Sequence, residues 1–172
     1  MIEGLEQLNR ASPETAEAAF LSCCGSRRWA KKMMEARPFA DFDGLLNRAE
    51  EIWQNLKNRD WLEAFAAHPK IGAQKAFRET TAQSAEWSQD EQSGTRGADD
   101  SVRAELEKLN RLYEEKFGFI FIVCATGKSA GEMLEICRRR LDNAPDAELL
   151  AAADEQRKIT EIRLKKLLES GI

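Results

Sequence analysis

The sequence predicts an all-α fold: a single-domain helical bundle over residues 1–172, with one extended buried connector and no substantial sheet. Three observations predict this fold class. The chain is rich in good helix formers, and 33% of its residues are charged, a composition that favours helices. Helix-capping signals recur along nearly the whole chain. Only one segment has the apolar, β-branched character of a strand, and a single strand has no partner for a sheet.

Capping residues and prolines delimit the first two predicted helices. Ser12 followed by Pro13 is an N-cap with proline at the first helical position, and the apolar run after them is expected to end at Gly25. Ser26 can cap the next helix. That helix must stop before Pro38, because proline disfavours helical geometry in the residue that precedes it.

The middle of the chain changes from helix signals to a loop-like composition. Residues 43–57 carry apolar side chains at helical spacing. Asp60 and Glu63 resemble a capping box for a short helix that reaches towards His68. Residues 69–98 are rich in Gly, Ser, Thr and Gln, so only a short helix or two is expected there.

The predicted connector follows a long amphipathic helix. This helix covers residues 99–117, and Gly118 is expected to terminate it. The next segment, "FGFIFIVCAT" at residues 117–126, has the aromatic and β-branched residues of a buried strand. No second run of that kind exists in the chain, so we predict an extended, buried connector instead.

Two more helices complete the predicted bundle. Ser129 and Glu132 have capping-box spacing ahead of a helix that is expected to run to about Asn143. The final helix starts near Asp146 and continues almost to Ser170. No internal repeat is visible in the sequence.

The composition narrows the class of function. The net charge is −4 and the pI is about 5.3, so the chain lacks the basic surplus of a nucleic-acid-binding protein. We interpret the run of Arg138, Arg139 and Arg140 as a solvated helix face. No apolar stretch approaches the ~20 residues of a membrane span. Four cysteines without metal-binding spacing, one histidine and the absence of a signal peptide predict no metal site and a cytoplasmic location.

His68, the only histidine of the chain, is the first candidate for a functional residue. It lies in "FAAHPKIGAQ", where Pro69 fixes the backbone after it and Gly72 permits a close approach of the backbone to another group. A rigid junction between helix and loop is a suitable place for a catalytic imidazole. A surface histidine, or a core histidine with satisfied hydrogen bonds, is the alternative interpretation.

Glu91 and Arg163 are two further candidates. Glu91 follows Ser88 with capping-box spacing in "SQDEQSG", which can mean a helix start, or an acid beside an amide that binds a ureido group. Arg163 lies at the border of the apolar arc of the final helix. There it needs an anionic or carbonyl partner, because arginine cannot be neutralised. A substrate and a structural ion pair satisfy this need equally well.

Over nearly its whole length the chain resembles the 2-oxo-4-hydroxy-4-carboxy-5-ureidoimidazoline (OHCU) decarboxylase family of uric acid breakdown. Separate segments carry the resemblance in the same order and spacing: "FLSCCGSRRWAKKM", "HPKIG", "SQDEQSG", "LNRLYEEKFGFIFIVCATGKS" and "EQRKITEIRLKKLL". The resemblance implies an all-α bundle without metal or organic cofactor. It also implies a homodimer that is coupled functionally to urate oxidase or hydroxylase and to hydroxyisourate hydrolase.

The resemblance also implies the site residues. The proposed catalytic trio of the family falls on His68, Glu91 and Arg163. Contacts to a small ureide substrate carry over to Pro69, Ser88, Gln92, Phe119, Ile120 and Phe121. One departure from the family pattern is a slightly longer loop between His68 and Ser88.

The implied reaction is the loss of carbon dioxide from OHCU to give (S)-allantoin. The substrate carries its own electron sink, an imine next to the carbon that bears the carboxylate, so no cofactor is needed. His68 suits a proton carrier at neutral pH. Two alternatives remain from the sequence: a helical ureide-binding module without turnover, and a related lyase that acts on another ureide.

Overall fold

A computed structural model describes residues 2–72, 81–95 and 97–171. In these ranges the chain forms nine α-helices and one short 3-10 helix, and it contains no β-strand. The all-α fold class is therefore confirmed. The chain divides into two compact units, Met1–Ala64 with Arg157–Ile172, and Phe65–Gln156. Residues 73–80, in the loop that the sequence singled out as long, lie outside the described residues.

The first unit contains the N-terminal helices and the end of the last helix. Ser12 and Ser26 cap their helices as predicted, with side-chain oxygens that accept hydrogen bonds from the backbone N–H groups of Thr15 and Trp29. Phe20 packs edge-on against Trp29 in the core, with ring centroids 5.9 Å apart. The helices of this unit are α1 (Ile2–Arg10), α2 (Pro13–Cys23), α3 (Arg27–Glu35), α4 (Phe42–Gln54) and most of α5 (Asn58–Ala66).

The second unit contains the connector and four helices. These are α6 (Ala82–Glu91), α7 (Asp100–Phe117), α8 (Ala130–Arg140) and the start of α9 (Pro145–Ser170), and a 3-10 helix at Ser93–Thr95 follows α6. Gly118 ends α7 in the left-handed conformation, with φ of 77°, and Ser129 forms the predicted capping box with Glu132. The apolar faces of α7 and α8 enclose the connector in one core.

Three local expectations differ from the structure. Helix α1, whose buried face contains Leu5 and Leu8, was not predicted from the sequence. Asp60 is not the N-cap of α5. The helix begins at Asn58, and Asp60 is its third residue, whose carboxylate accepts a hydrogen bond from the Lys57 backbone N–H. The helix start at Ser88 is also wrong, because Thr81 caps α6 and Ser88 lies in its last turn.

The connector is extended and buried, as predicted, and side chains rather than a second strand satisfy several of its backbone groups. The Cys124 N–H donates to Glu155 Oε2 at 2.7 Å. The Ile122 carbonyl accepts from Arg140 Nη1 at 2.6 Å, and the Cys124 carbonyl accepts from Lys128 Nζ at 2.7 Å. Charged side chains thus replace a neighbouring strand, which resolves how a lone strand-like segment can be buried.

Arg140 corrects the interpretation of the arginine run as a solvated face. Arg138 and Arg139 are exposed, but the Arg140 side chain is only 11% exposed and pairs with Glu148, which is fully buried. Glu148 also accepts hydrogen bonds from Tyr113 and Asn143. Only the last arginine faces the core, because the direction of a side chain changes by about 100° per helical residue.

In the part of the chain that the structure describes, no helix combines the length and the apolar character required to cross a membrane.

Candidate active site

His68 lies just past the end of α5, as its Pro69 neighbour predicts. Its backbone N–H donates to the Phe65 carbonyl at 3.1 Å, which closes the last turn of the helix. The side chain is buried, with 7% of its surface exposed. Its ring nitrogen Nε2 lies 2.8 Å from Oε1 of Gln156, a residue of α9 that is fully buried. His68 is therefore held both by its backbone N–H and by its ring.

The loop after His68 is fixed by two side chains from other parts of the second unit. The Gly72 N–H donates to Gln92 Oε1 at 2.9 Å, and the Ile71 carbonyl accepts from Asn110 Nδ2 at 3.0 Å. Gly72 has φ of 84°, and a β-carbon built there would touch nothing within 4 Å. The left-handed backbone favours glycine at this position, and among the described residues no protein atom makes the close approach that the glycine permits.

The last turn of α6 carries three of the predicted site residues, and two of them are buried. Glu91 is 7% exposed and is the last residue of the helix. Ser88 is also buried, and its hydroxyl donates to the Ser84 carbonyl at 2.9 Å. Gln92, at the C-cap, is the residue that binds the Gly72 amide. The end of α6 is therefore attached directly to the loop that follows His68.

The connector supplies three more of the predicted contacts. Ile120 and Phe121 are buried, and Phe119 is half-buried. The Phe119 ring lies 5.4 Å from that of Phe65 and 5.8 Å from that of Tyr113. Because Phe65 lies in the last turn of the helix before His68, aromatic packing joins the connector to the chain just before the imidazole.

Cys124 relates Glu91 to the connector electrostatically. Burial raises the pKa of the Cys124 thiol, and the carboxylates of Glu155 and Glu91 contribute in the same direction. The Lys128 ammonium opposes them and lowers the pKa of the same thiol. The second unit contains eight of the nine predicted residues, namely His68, Pro69, Ser88, Glu91, Gln92, Phe119, Ile120 and Phe121.

Arg163 is the ninth predicted residue and lies in the first unit. Only 2% of its surface is exposed, so it is among the largest fully buried side chains. Its Nη1 lies 3.5 Å from the Ser22 carbonyl. Its positive charge lowers the pKa of the neighbouring Cys24 thiol, although burial is the larger effect and raises that pKa to about 12. The predicted position at the apolar border is in fact deep in the core.

Two residues with a structural part in this region were missed by the sequence analysis. Gln156 binds His68 from 88 positions away, and no sequence pattern indicates such a long-range pair. Gly94, in the 3-10 helix, has no room for a side chain because a β-carbon there would overlap the Lys128 carbonyl. The glycine in "SQDEQSG" was a visible signal for a close backbone approach. Over the described ranges, no three His, Cys, Asp or Glu side chains are grouped so as to hold a metal ion.

Comparison with known proteins identifies relatives of uric acid breakdown. The "Uric acid degradation bifunctional protein TTL" of Arabidopsis thaliana is 44% identical over 157 residues, which cover 90% of this chain and 48% of the relative. The "Uric acid degradation bifunctional protein" of Bacillus sp. (strain TB-90) is 28% identical, and the match covers 32% of its length. The chain therefore spans half or less of these two curated relatives. The 2-oxo-4-hydroxy-4-carboxy-5-ureidoimidazoline decarboxylase of Halalkalicoccus jeotgali is 31% identical over 167 residues, and 90% of its length is covered.

Solved structures share the fold. A crystal structure of OHCU decarboxylase in the presence of (S)-allantoin superposes with a TM-score of 0.75 at 39% identity, covering 92% of this chain and 99% of the other. A crystal structure of (S)-allantoin synthase gives a TM-score of 0.71 at 16% identity, which establishes a similar fold alone. A sequence profile of the OHCU decarboxylase family matches residues 9–165. The chain belongs to the OHCU decarboxylase family.

Proposed function

We propose that this chain catalyses the decarboxylation of 2-oxo-4-hydroxy-4-carboxy-5-ureidoimidazoline to (S)-allantoin and carbon dioxide. The observation that carries the proposal is family membership together with a buried His68 at a fixed position in the chain. The relative from Halalkalicoccus jeotgali, which bears the name of this decarboxylase, is matched over 90% of its length. This chain and that relative therefore match over nearly their whole lengths.

The substrate itself supplies the electron sink for the reaction. When the bond to the carboxylate breaks, its electron pair forms a carbon–carbon double bond, and the pair of the adjacent imine moves onto nitrogen, which takes up a proton. The hydroxyl then loses its proton and becomes the carbonyl of allantoin, while the neighbouring carbon gains one. Delivery of this last proton to one face decides the configuration of the product. We assign the proton transfer to His68, because imidazole exchanges protons near neutral pH.

The other predicted residues bind and orient the substrate in this proposal. Glu91 holds the substrate hydroxyl. The backbone amides of residues 119–121 and the guanidinium of Arg163 bind oxygen atoms on which negative charge develops. Ser88, Gln92 and Pro69 line the ureide. The buried position of Glu91 and the hydrogen-bonded loop at Gly72 support a preorganised pocket.

The experiment uses substrate made in place from urate by urate oxidase and hydroxyisourate hydrolase. We expect the wild-type chain to accelerate carbon dioxide release and to produce optically active allantoin. In His68→Asn, turnover should fall ~10²–10⁴-fold, the cost of losing a positioned acid or base, while the helical circular dichroism is unchanged. Near-normal kcat in His68→Asn would refute the proton-transfer role. Binding of substrate by the wild type without any acceleration of carbon dioxide release would instead indicate a ureide-binding module.

We also propose that the chain works as a homodimer in sequence with hydroxyisourate hydrolase. Support for the coupling comes from relatives that are named bifunctional proteins of uric acid degradation. Support for the dimer comes from the family resemblance. Sedimentation equilibrium distinguishes a species of 19.5 kDa from one of twice that mass.

A further inference from the structure

The hydrogen bond between His68 and Gln156 joins two buried side chains from distant parts of the sequence. Gln156 is fully buried in α9, and its Oε1 lies 2.8 Å from His68 Nε2. The preceding residue, Glu155, accepts the Cys124 N–H at 2.7 Å. Two consecutive residues of α9 thus hold the imidazole and the connector, and both contacts lie within the second unit.

An amide oxygen can only accept a hydrogen bond, so its partner nitrogen must carry a proton. In the neutral imidazole this places the proton on Nε2 and the lone pair on Nδ1. In the charged imidazolium both nitrogens carry protons, and the same contact to Gln156 persists. The ring can therefore gain and lose a proton at Nδ1 without turning. A glutamine also holds the ring without adding a charge, whereas a carboxylate would favour the imidazolium.

We infer that Gln156 is a positioning residue that holds the His68 ring as the Nε2–H tautomer, so that Nδ1 is the nitrogen that exchanges the proton. The last part of this inference rests on the proposed function, since it assigns an atom to the proton transfer. The first part concerns the free protein and stands independently of any activity. The two parts can therefore be tested separately.

The tautomer can be read directly because the chain has one histidine. Protein labelled with ¹⁵N-histidine gives two ring nitrogen signals, and their long-range couplings to the ring carbons' protons distinguish the two tautomers. Above the pH at which the ring titrates, we expect the wild type to show a protonated Nε2 and an unprotonated Nδ1. A protonated Nδ1 in the neutral ring of the wild type would overturn the inference, whatever the enzyme assay shows.

Variants at Gln156 test the link to catalysis. Gln156→Leu removes the acceptor at nearly the same size, so we expect mixed tautomers and a fall in kcat of at least about 10-fold, smaller than the loss in His68→Asn. KM should change little. Gln156→Glu restores an acceptor, so we expect the Nε2–H tautomer and partial activity, with the acidic limb of the pH–kcat profile moved to higher pH. Gln54→Leu, an exposed glutamine of α4, is the control and should alter neither tautomer nor kcat.

The outcomes separate the two proposals. If His68→Asn retains activity while the wild type is the Nε2–H tautomer, the proton-transfer role fails and the positioning by Gln156 stands. If Gln156→Leu folds with an unchanged pH profile and kcat, the catalytic part of the inference is wrong. If Gln156→Leu does not fold, the wild-type spectrum and the Gln156→Glu profile still decide: an unshifted acidic limb in a folded Gln156→Glu would contradict the inference.

Discussion

At the scale of single residues, Arg163 presents the sharpest choice between structure and catalysis. A guanidinium that is 2% exposed has lost almost all of its hydration, and it must recover that energy from hydrogen bonds or negative charge. The Ser22 carbonyl lies at 3.5 Å from its Nη1, the outer limit of a hydrogen bond. The assignment of Arg163 to a substrate oxygen rests on the family resemblance, and a structural role for the buried guanidinium is the alternative to be tested.

Substitution of Arg163 distinguishes these roles. Arg163→Lys keeps the charge and loses the planar set of donors, so we expect kcat/KM to fall about 10²-fold or more. The melting temperature should fall by only about 2–4 °C, which corresponds to ~1 kcal/mol for a chain of this size. Thermal unfolding and kcat/KM are measured together for Arg163→Lys and Arg163→Ala. Preserved kcat/KM in a well-folded Arg163→Ala would contradict the substrate role.

Cys24 leads to a prediction about alkaline stability. Burial raises the pKa of its thiol from the ordinary 9.0 to about 12. Below pH 9 the thiol is protonated in both the folded and the unfolded chain, so its contribution to stability is complete. Above pH 9 the unfolded chain ionises first, and stability falls by up to about 1.4 kcal/mol per pH unit until the folded thiol also ionises.

The comparison of wild type with Cys24→Ala isolates this effect. Urea unfolding between pH 8 and pH 11 should show a steeper loss of stability in the wild type than in the variant, although the variant is less stable at pH 8. Parallel curves would mean that Cys24 ionises equally in both states. Cys137→Ala should reduce the slope in a similar way, since burial raises the pKa of Cys137 to about 11.

Features of single residues were predictable from the sequence when a neighbouring residue in the chain determines them. The junction at His68 was predictable, because Pro69 restricts the residue before it. The depth of Arg163 and the pairing of His68 with Gln156 were not, because both depend on contacts 88 or more positions apart in the chain. The burial of Cys24 likewise reflects tertiary packing.

At the scale of helices, starts and stops were predicted well where a capping side chain bonds within three residues. Ser12, Ser26 and Ser129 cap as expected. The capping-box spacing of Ser88 and Glu91 was misleading, because the same spacing also occurs inside a helix. Thr81 is the N-cap of α6, and both residues lie in its last turn. Local patterns identify possible caps, and the neighbouring sequence decides which of them begins a helix.

The end of α8 allows a matched test within the arginine run. In Arg140→Met the fully buried Glu148 loses its cation and the Ile122 carbonyl loses its donor. We expect a loss of about 3–5 kcal/mol in the free energy of unfolding, because an uncompensated charge remains buried. Arg139→Met, at an exposed position of the same helix, should change it by less than about 0.5 kcal/mol.

Urea denaturation of both variants measures this difference. Adding Glu148→Gln to Arg140→Met should recover part of the stability, since it removes the unpaired charge. Similar losses in Arg139→Met and Arg140→Met would mean that the run acts as one solvated face, as the sequence alone indicated. The test therefore also determines whether Arg140 contributes to holding the connector.

At the scale of the whole chain, the all-α class was predictable from composition and from the lone strand-like segment. The side-chain hydrogen bonds to the backbone of this segment were not predictable, because their partners Glu155, Arg140 and Lys128 come from different parts of the chain. Predicting that a segment is extended and buried requires only its own residues. Predicting how its backbone is satisfied requires the fold around it.

The chain as a whole offers few ligands for a metal ion. The four cysteines lack metal-binding spacing, and within the described ranges no three His, Cys, Asp or Glu side chains are grouped as metal ligands. One histidine cannot replace such a group of ligands. We therefore expect decarboxylation to continue at its full rate after extensive dialysis against a chelator, with the coupling enzymes added only after the chelator is removed. A loss of activity that zinc or manganese restores, and that magnesium does not, would show that the substrate's own imine is an insufficient electron sink and that the proposed mechanism lacks a component.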